Sequence, residues 1–155
     1  MNVSLRAESE ADRAFLRGLF DQVRAEEFAG LEQGMLGSLL DMQFAAQQQS
    51  YRQAYAGARF EIIEVNGVPV GQQVVAQSGA GLLLVDIALL TQWRGQGIGS
   101  ALLRKLQQEA ASAGLPLRLH VALNNPAEAL YRRLGFKETG VSGMHRTMEW
   151  ENDNE

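Results

Sequence analysis

The stretch from Leu82 to Leu106 limits what this chain can become more than any other. An apolar run, Leu82-Leu83-Leu84-Val85-Asp86-Ile87-Ala88-Leu89-Leu90, passes through Thr91-Gln92-Trp93 into Arg94-Gly95-Gln96-Gly97-Ile98-Gly99-Ser100, and apolar residues then recur at helical spacing. The pattern predicts a strand, a glycine-rich turn and a helix. Glycines keep side chains away from backbone N–H groups, and the first turn of a helix leaves such donors unpaired at the positive end of the macrodipole. A turn of this kind suits a phosphate. Arg94 adds a fork of donors matched to phosphate oxygens, for which a purely structural connection has no need.

Two widespread phosphate sites fit this turn poorly. A dinucleotide fold uses G-x-G-x-x-G with an acidic residue about 20 positions further on. Gly95, Gly97 and Ser100 come close to the first part, but Leu115 to His120 supplies no acid. A phosphate-loop NTPase needs Lys followed by Ser or Thr after the glycines, and that pair is absent. What remains is R-x-x-G-x-G, filled by Arg94, Gly97 and Gly99.

Composition bounds the alternatives. A chain of 155 residues with 46% hydrophobic content suits one globular domain, read as residues 1–150 with a polar tail at 151–155. With no cysteine, thiol nucleophiles, disulfides and cysteine zinc sites are excluded. Met1 to Glu8 lacks the layout of a signal peptide, and the longest apolar run is too short to span a bilayer and carries Asp86, so a soluble cytoplasmic protein is expected. A net charge of −4 argues against nucleic acid as a partner and mildly favours a cationic one.

Along the chain, Val3 to Arg6 predicts a first strand, and a helix follows from Ser9 or Glu10 with Phe15, Leu16, Leu19, Phe20 and Val23 on one side. Gly30, Gly34 and Gly37 read as an interruption before a second helix from about Ser38 to Tyr51, with Leu39, Met42 and Ala46 expected inside. Asn66-Gly67 between two β-rich runs predicts a hairpin with a type I′ turn. Three consecutive antiparallel strands then lead to the glycine turn and its helix, which Gly114 closes before Pro116. Leu117 to Leu123 forms a parallel strand reached by a right-handed crossover. Asn125 as cap, Pro126 at the first turn, Glu128 completing a capping box and Gly135 at the exit mark a short helix. Phe136 to Val141 and Met144 to Trp150 close the fold as a strand pair.

With these elements in place, the chain resembles the GNAT acetyltransferase superfamily. The R-x-x-G-x-G turn carries part of the likeness. The rest lies in Asn124-Asn125-Pro126-Ala127-Glu128-Ala129-Leu130-Tyr131-Arg132-Arg133-Leu134-Gly135-Phe136, which is similar to that family's N-x-x-A-x-x-L-Y-x-x-x-G-F. The likeness spans about Phe60 to Trp150 and departs at Thr91, where many relatives carry proline. It implies a single α/β domain with a mixed, mostly antiparallel sheet of six or seven strands and four helices.

The resemblance further implies acetyl-CoA as co-substrate, with no metal, and an amine-bearing substrate as acceptor. The cofactor's pyrophosphate would lie on the N–H groups of Gly95, Gln96, Gly97, Ile98, Gly99 and Ser100 beside Arg94, and its pantetheine arm along Leu89 and Leu90 with Asn124 as a further partner. The Leu89 N–H would polarise the thioester carbonyl. Tyr131 would protonate the departing thiolate; with a thiol pKa of roughly 8.5 against about 10 for tyrosine, that step is uphill by about 2 kcal/mol. A base must also take a proton from the acceptor amine, and Asp86 is the first candidate, before Glu64 and His120.

Similar proteins are frequently dimers, which leaves room for a homodimer through the closing strands. Glu26, Glu27, Glu32 and Asp41 lie in the region that in similar proteins overhangs the acceptor, where they could attract an amine, although a solvated helix face is the better account of them. Trp93 and Trp150 are assigned to packing. The alternative function is a module that binds acyl-CoA without turning it over.

Overall fold

The computed structural model describes residues 1–25, 33–123 and 125–152, with the backbone alone for residues 25 and 33–37. Seven strands and four helices follow in the order β1 (Val3–Ala7), α1 (Arg13–Ala25), α2 (Gln33–Ala54), β2 (Arg59–Val65), β3 (Val68–Ser78), β4 (Gly81–Leu89), α3 (Ile98–Ala113), β5 (Leu117–Ala122), α4 (Ala127–Arg133), β6 (Lys137–Ser142) and β7 (His145–Trp150). The strands form a mixed sheet ordered β1-β2-β3-β4-β5-β7-β6. β1 with β2, β5 with β7 and β6 with β7 are antiparallel, and β4 with β5 is parallel. The mixed α/β architecture expected above is present.

The chain forms two compact units, one of residues 1–73 and 87–94, the other of residues 74–86 and 95–155. In the first, Leu16 and Phe20 of α1 meet Leu40 and Phe44 of α2 over Ile62 of β2. Both helical pairs are spaced i, i+4, so each helix offers one stripe to its neighbour. Phe20 and Phe44 pack edge to face with ring centroids 5.4 Å apart.

This packing corrects the expected inner face of the second helix. Met42 is 69% exposed and Ala46 is exposed, whereas Leu40 and Phe44 are buried and Leu39 is half-buried. α2 also begins before Gly34 and Gly37, which lie inside it rather than interrupting the chain. Its hydrophobic pattern is diffuse, and the aromatic ring presented by α1 selects the buried face.

A second device ties this unit together. The Arg6 guanidinium on β1 donates to both oxygens of Asp12, at 2.8 and 2.7 Å, and its Nε donates to Glu64 on β2 at 2.8 Å. Asp12 also accepts from the Ser9 N–H at 2.8 Å. The Arg6 hydrogen bonds above all pull the Asp12 carboxyl down to about 2.

In the second unit, Leu82 and Leu84 of β4 register with Leu117 and Leu119 of β5, all buried. α3 buries Ile98, Leu102, Leu103, Leu106 and Ala110, and Gly114 at φ 69° closes it in the left-handed conformation, as its position in the sequence predicts. The Asn66-Gly67 turn in the first unit has φ of 51° and 82°, as a type I′ hairpin requires. Among the described residues no helix is long and apolar enough to cross a membrane.

Candidate functional site

The glycine turn has the shape its sequence demands. Gly95 and Gly97 have φ of 73° and 84°, a region side chains disfavour, and Gly97 opens α3 with its carbonyl accepting the first helical bond from Ala101 at 3.1 Å. The N–H groups of Ile98, Gly99 and Ser100 therefore have no partner one turn earlier in the helix. Nothing lies within 4 Å of where a Cβ on Gly95, Gly97 or Gly99 would sit. Gln96 is exposed and the Ile98 side chain is buried, so the helix is anchored from below while its first turn stays open. This geometry fits a diphosphate.

Upstream, in the first unit, β4 ends at Leu89 and Leu90, and Thr91–Trp93 makes a 3-10 turn before Arg94. The Leu90 N–H donates to the Val70 carbonyl at 2.8 Å, and Arg94 Nε donates to the Leu89 carbonyl at 3.1 Å. Thr91 stands where the resemblance implies proline, and the structure uses both of its donors. Its N–H and its hydroxyl both donate to Oε1 of Gln22 on α1, at 2.9 and 3.1 Å. Proline has neither donor. Nothing local in the sequence distinguishes Gln22 from other polar residues on a helix.

Asp86 and Tyr131 belong to the second unit. The parallel ladder joins Leu82, Leu83 and Leu84 to Leu117, Arg118 and Leu119, and both strands then run on. Two residues beyond Leu84, Asp86 continues the face of Leu82 and Leu84. α4 lies over the same face, because its Glu128 pairs with Arg146, which registers with Val121 of β5. Tyr131, one helical turn on from Glu128, is 9% exposed and packs edge to face on Phe136 at 5.9 Å. Gln107 of α3 donates to the Leu134 carbonyl at 2.8 Å and holds the far end of α4. Burial raises the Tyr131 phenol, and the charge of Asp86 raises it further, so the phenol keeps its proton well into the alkaline range.

Other candidates fall elsewhere. His120 sits on the opposite face of β5, beside Arg118, with its Nδ1 3.2 Å from the Thr147 hydroxyl. Glu64 is engaged by Arg6. Asn124, Glu26, Glu27 and Glu32 lie outside the described residues, and Asp41 is exposed and paired with Arg17. Pro126 rather than Asn125 is the N-cap of α4; Oδ1 of Asn125 accepts from the Ala127 N–H at 2.9 Å from one residue earlier, and Glu128 turns to Arg132 and Arg146 instead of closing a capping box. A carboxylate between two guanidiniums gains more than one facing a single amide. Trp150 packs against Gly135, where an added Cβ would come within 3.3 Å of the indole.

Known proteins are similar to this chain in sequence and in fold. The acetyltransferase (GNAT) domain family matches residues 56–138. A bovine (Bos taurus) thialysine N-epsilon-acetyltransferase is 35% identical over 98 residues, covering 55% of this chain and 58% of that enzyme. Among solved structures, the PaiA N-acetyltransferase of Thermoplasma acidophilum in complex with coenzyme A superposes with a TM-score of 0.74 at 17% identity, over 98% of this chain and all of that one. The ribosomal-protein-alanine N-acetyltransferase of Brucella melitensis does so with a TM-score of 0.64 at 23% identity, over 96% and 99% of the two chains.

Proposed function

Because this chain belongs to the GNAT acetyltransferase family, we propose that it transfers an acetyl group from acetyl-CoA to a primary amine by direct attack in a ternary complex. The observation that carries the reading is the unobstructed turn from Gly95 to Gly99 at the head of α3. Its N–H groups hold the pyrophosphate, with Arg94 beside it, and the Leu89 N–H faces the oxygen on which charge develops. A donor placed there is worth about 3–4 kcal/mol in the barrier.

Tyr131 supplies the proton that the departing sulfur needs. Its raised phenol is the weaker for being buried near Asp86, but a thiolate brought beside it meets the same surroundings and is raised alike, so the modest uphill step persists. Asp86 collects the acceptor's proton; an amine with pKa near 10.4 is neutral in about one molecule in 2,500 at pH 7, so some base must do so. The acceptor class is supported by the bovine relative, whose name places transfer on an ε-amine. The protein acts in the cytoplasm, and pairing of two copies through the closing strands is part of the same reading.

Thiol release measured against a panel of primary amines, beside calorimetry with coenzyme A, tests the proposal. Turnover with at least one amine is expected. Tight coenzyme A binding without turnover on any amine would reduce the protein to a binding module, and absence of binding would reject both.

A further inference from the structure

Gly71 is the one glycine within β3, and β4 explains it. A Cβ on Gly71 would lie 2.2 Å from the Ala88 carbonyl oxygen and 2.8 Å from Leu89 Cδ2. The leucine tip can rotate away; the carbonyl is main chain and cannot. Gly71 is not among the residues with positive φ, so backbone conformation does not account for it.

The position of that oxygen sets the position of an N–H. The Ala88–Leu89 peptide is trans, and in a planar trans peptide the C=O and N–H point in opposite directions. With the Ala88 oxygen over β3, the Leu89 N–H points away from β3. The neighbouring peptide agrees, because the Leu90 N–H points toward β3 and bonds Val70 while the Leu89 carbonyl, facing the other way, accepts from Arg94. We propose that Gly71 is a positioning residue, whose missing side chain admits the Ala88 carbonyl and thereby aims the Leu89 N–H at the thioester oxygen. This rests on the acetyl-transfer reading above. A side chain at position 71 displaces the carbonyl by more than 1 Å to reach ordinary contact, and misplacement on that scale costs roughly 100-fold in rate.

The test is Gly71→Ala, with Gly79→Ala as control, since nothing lies within 4 Å of a Cβ at Gly79 and its φ is not positive. Gly71→Ala is expected to lower kcat about 100-fold, the loss associated with one oxyanion donor, while its Kd for coenzyme A, which has no thioester oxygen, stays within about threefold. The control keeps both. Adding Leu89→Ala to Gly71→Ala relieves the side-chain collision and not the carbonyl one, so activity stays low; recovery would overturn the assignment. So would a kcat within about threefold of wild type, or equal losses of acetyl-CoA and coenzyme A affinity.

Should Gly71→Ala fail to fold, the wild-type protein decides the matter by NMR. The Leu89 amide should shift further with a stable ketone analogue of acetyl-CoA than with coenzyme A, and equal shifts contradict the proposal. Wild-type protein that neither binds coenzyme A nor acetylates any amine sinks the acetyl-transfer reading itself, a result distinct from all of these.

Discussion

Gly71 and Gly99 are alike in sequence, each a glycine after a β-branched residue, Val70 or Ile98. Their surroundings are opposite. A side chain at Gly99 would meet open space, whereas one at Gly71 would meet the main chain of the next strand. The first region leaves its backbone bare, as the proposed diphosphate site requires, and in the second the missing side chain sets the protein's own backbone. Substitution should therefore separate binding from shape.

The largest effect is expected at Tyr131, a side chain buried by the protein yet assigned to chemistry. Tyr131→Phe keeps the ring packing on Phe136 and should lower kcat by about 10²- to 10⁴-fold, the range of a general acid, with coenzyme A affinity unchanged by calorimetry. Full turnover would return Tyr131 to packing alone. Gly99→Val comes next: about 10- to 100-fold weaker coenzyme A binding, as for a lost charge-assisted contact or two, with little change in Tm. A loss of stability without a loss of binding would break the contrast drawn between the two glycines.

Two predictions sharpen the self-facing side. Asp12→Ala should cost about 2 kcal/mol at neutral pH by urea unfolding, because the Arg6 bonds are charge-assisted. Asp12 is held below its ordinary value, so its contribution is complete above pH of about 4 and is lost as pH falls through about 2. The gap between wild type and variant should close over that interval, and a gap constant with pH would contradict the assigned ion pair. Smallest is Gly135→Ala, where φ of 94° and the Trp150 ring both oppose a side chain. A stability loss of about 1 kcal/mol is expected from the left-handed backbone, with coenzyme A binding unaffected.

Legibility in the sequence followed the range of the interactions. The Asn66-Gly67 hairpin and the Gly97 and Gly114 ends of α3 are readable because each depends on residues a few positions apart. The buried face of α2 is not legible locally, because the Phe20 ring, from another helix, packs with Leu40 and Phe44 while Met42 stays exposed. Gly71 carried a readable hint, since a lone glycine in a strand suggests close backbone approach. Its partner, Ala88, is 17 positions away and unmarked.

Taken alone, the order of residues determined the strand, open turn and helix at Leu82 to Leu106, because glycine conformation and apolar spacing act within a single turn of chain. It also determined that cysteine chemistry has no place here. Tertiary structure alone decided that Asp86 shares a face with Tyr131 while His120 does not, and that the Ala88 carbonyl occupies the space above Gly71. Those facts depend on strand register and on which side of a sheet a helix covers. Both are settled by burial summed over the whole core, which no short stretch of sequence contains.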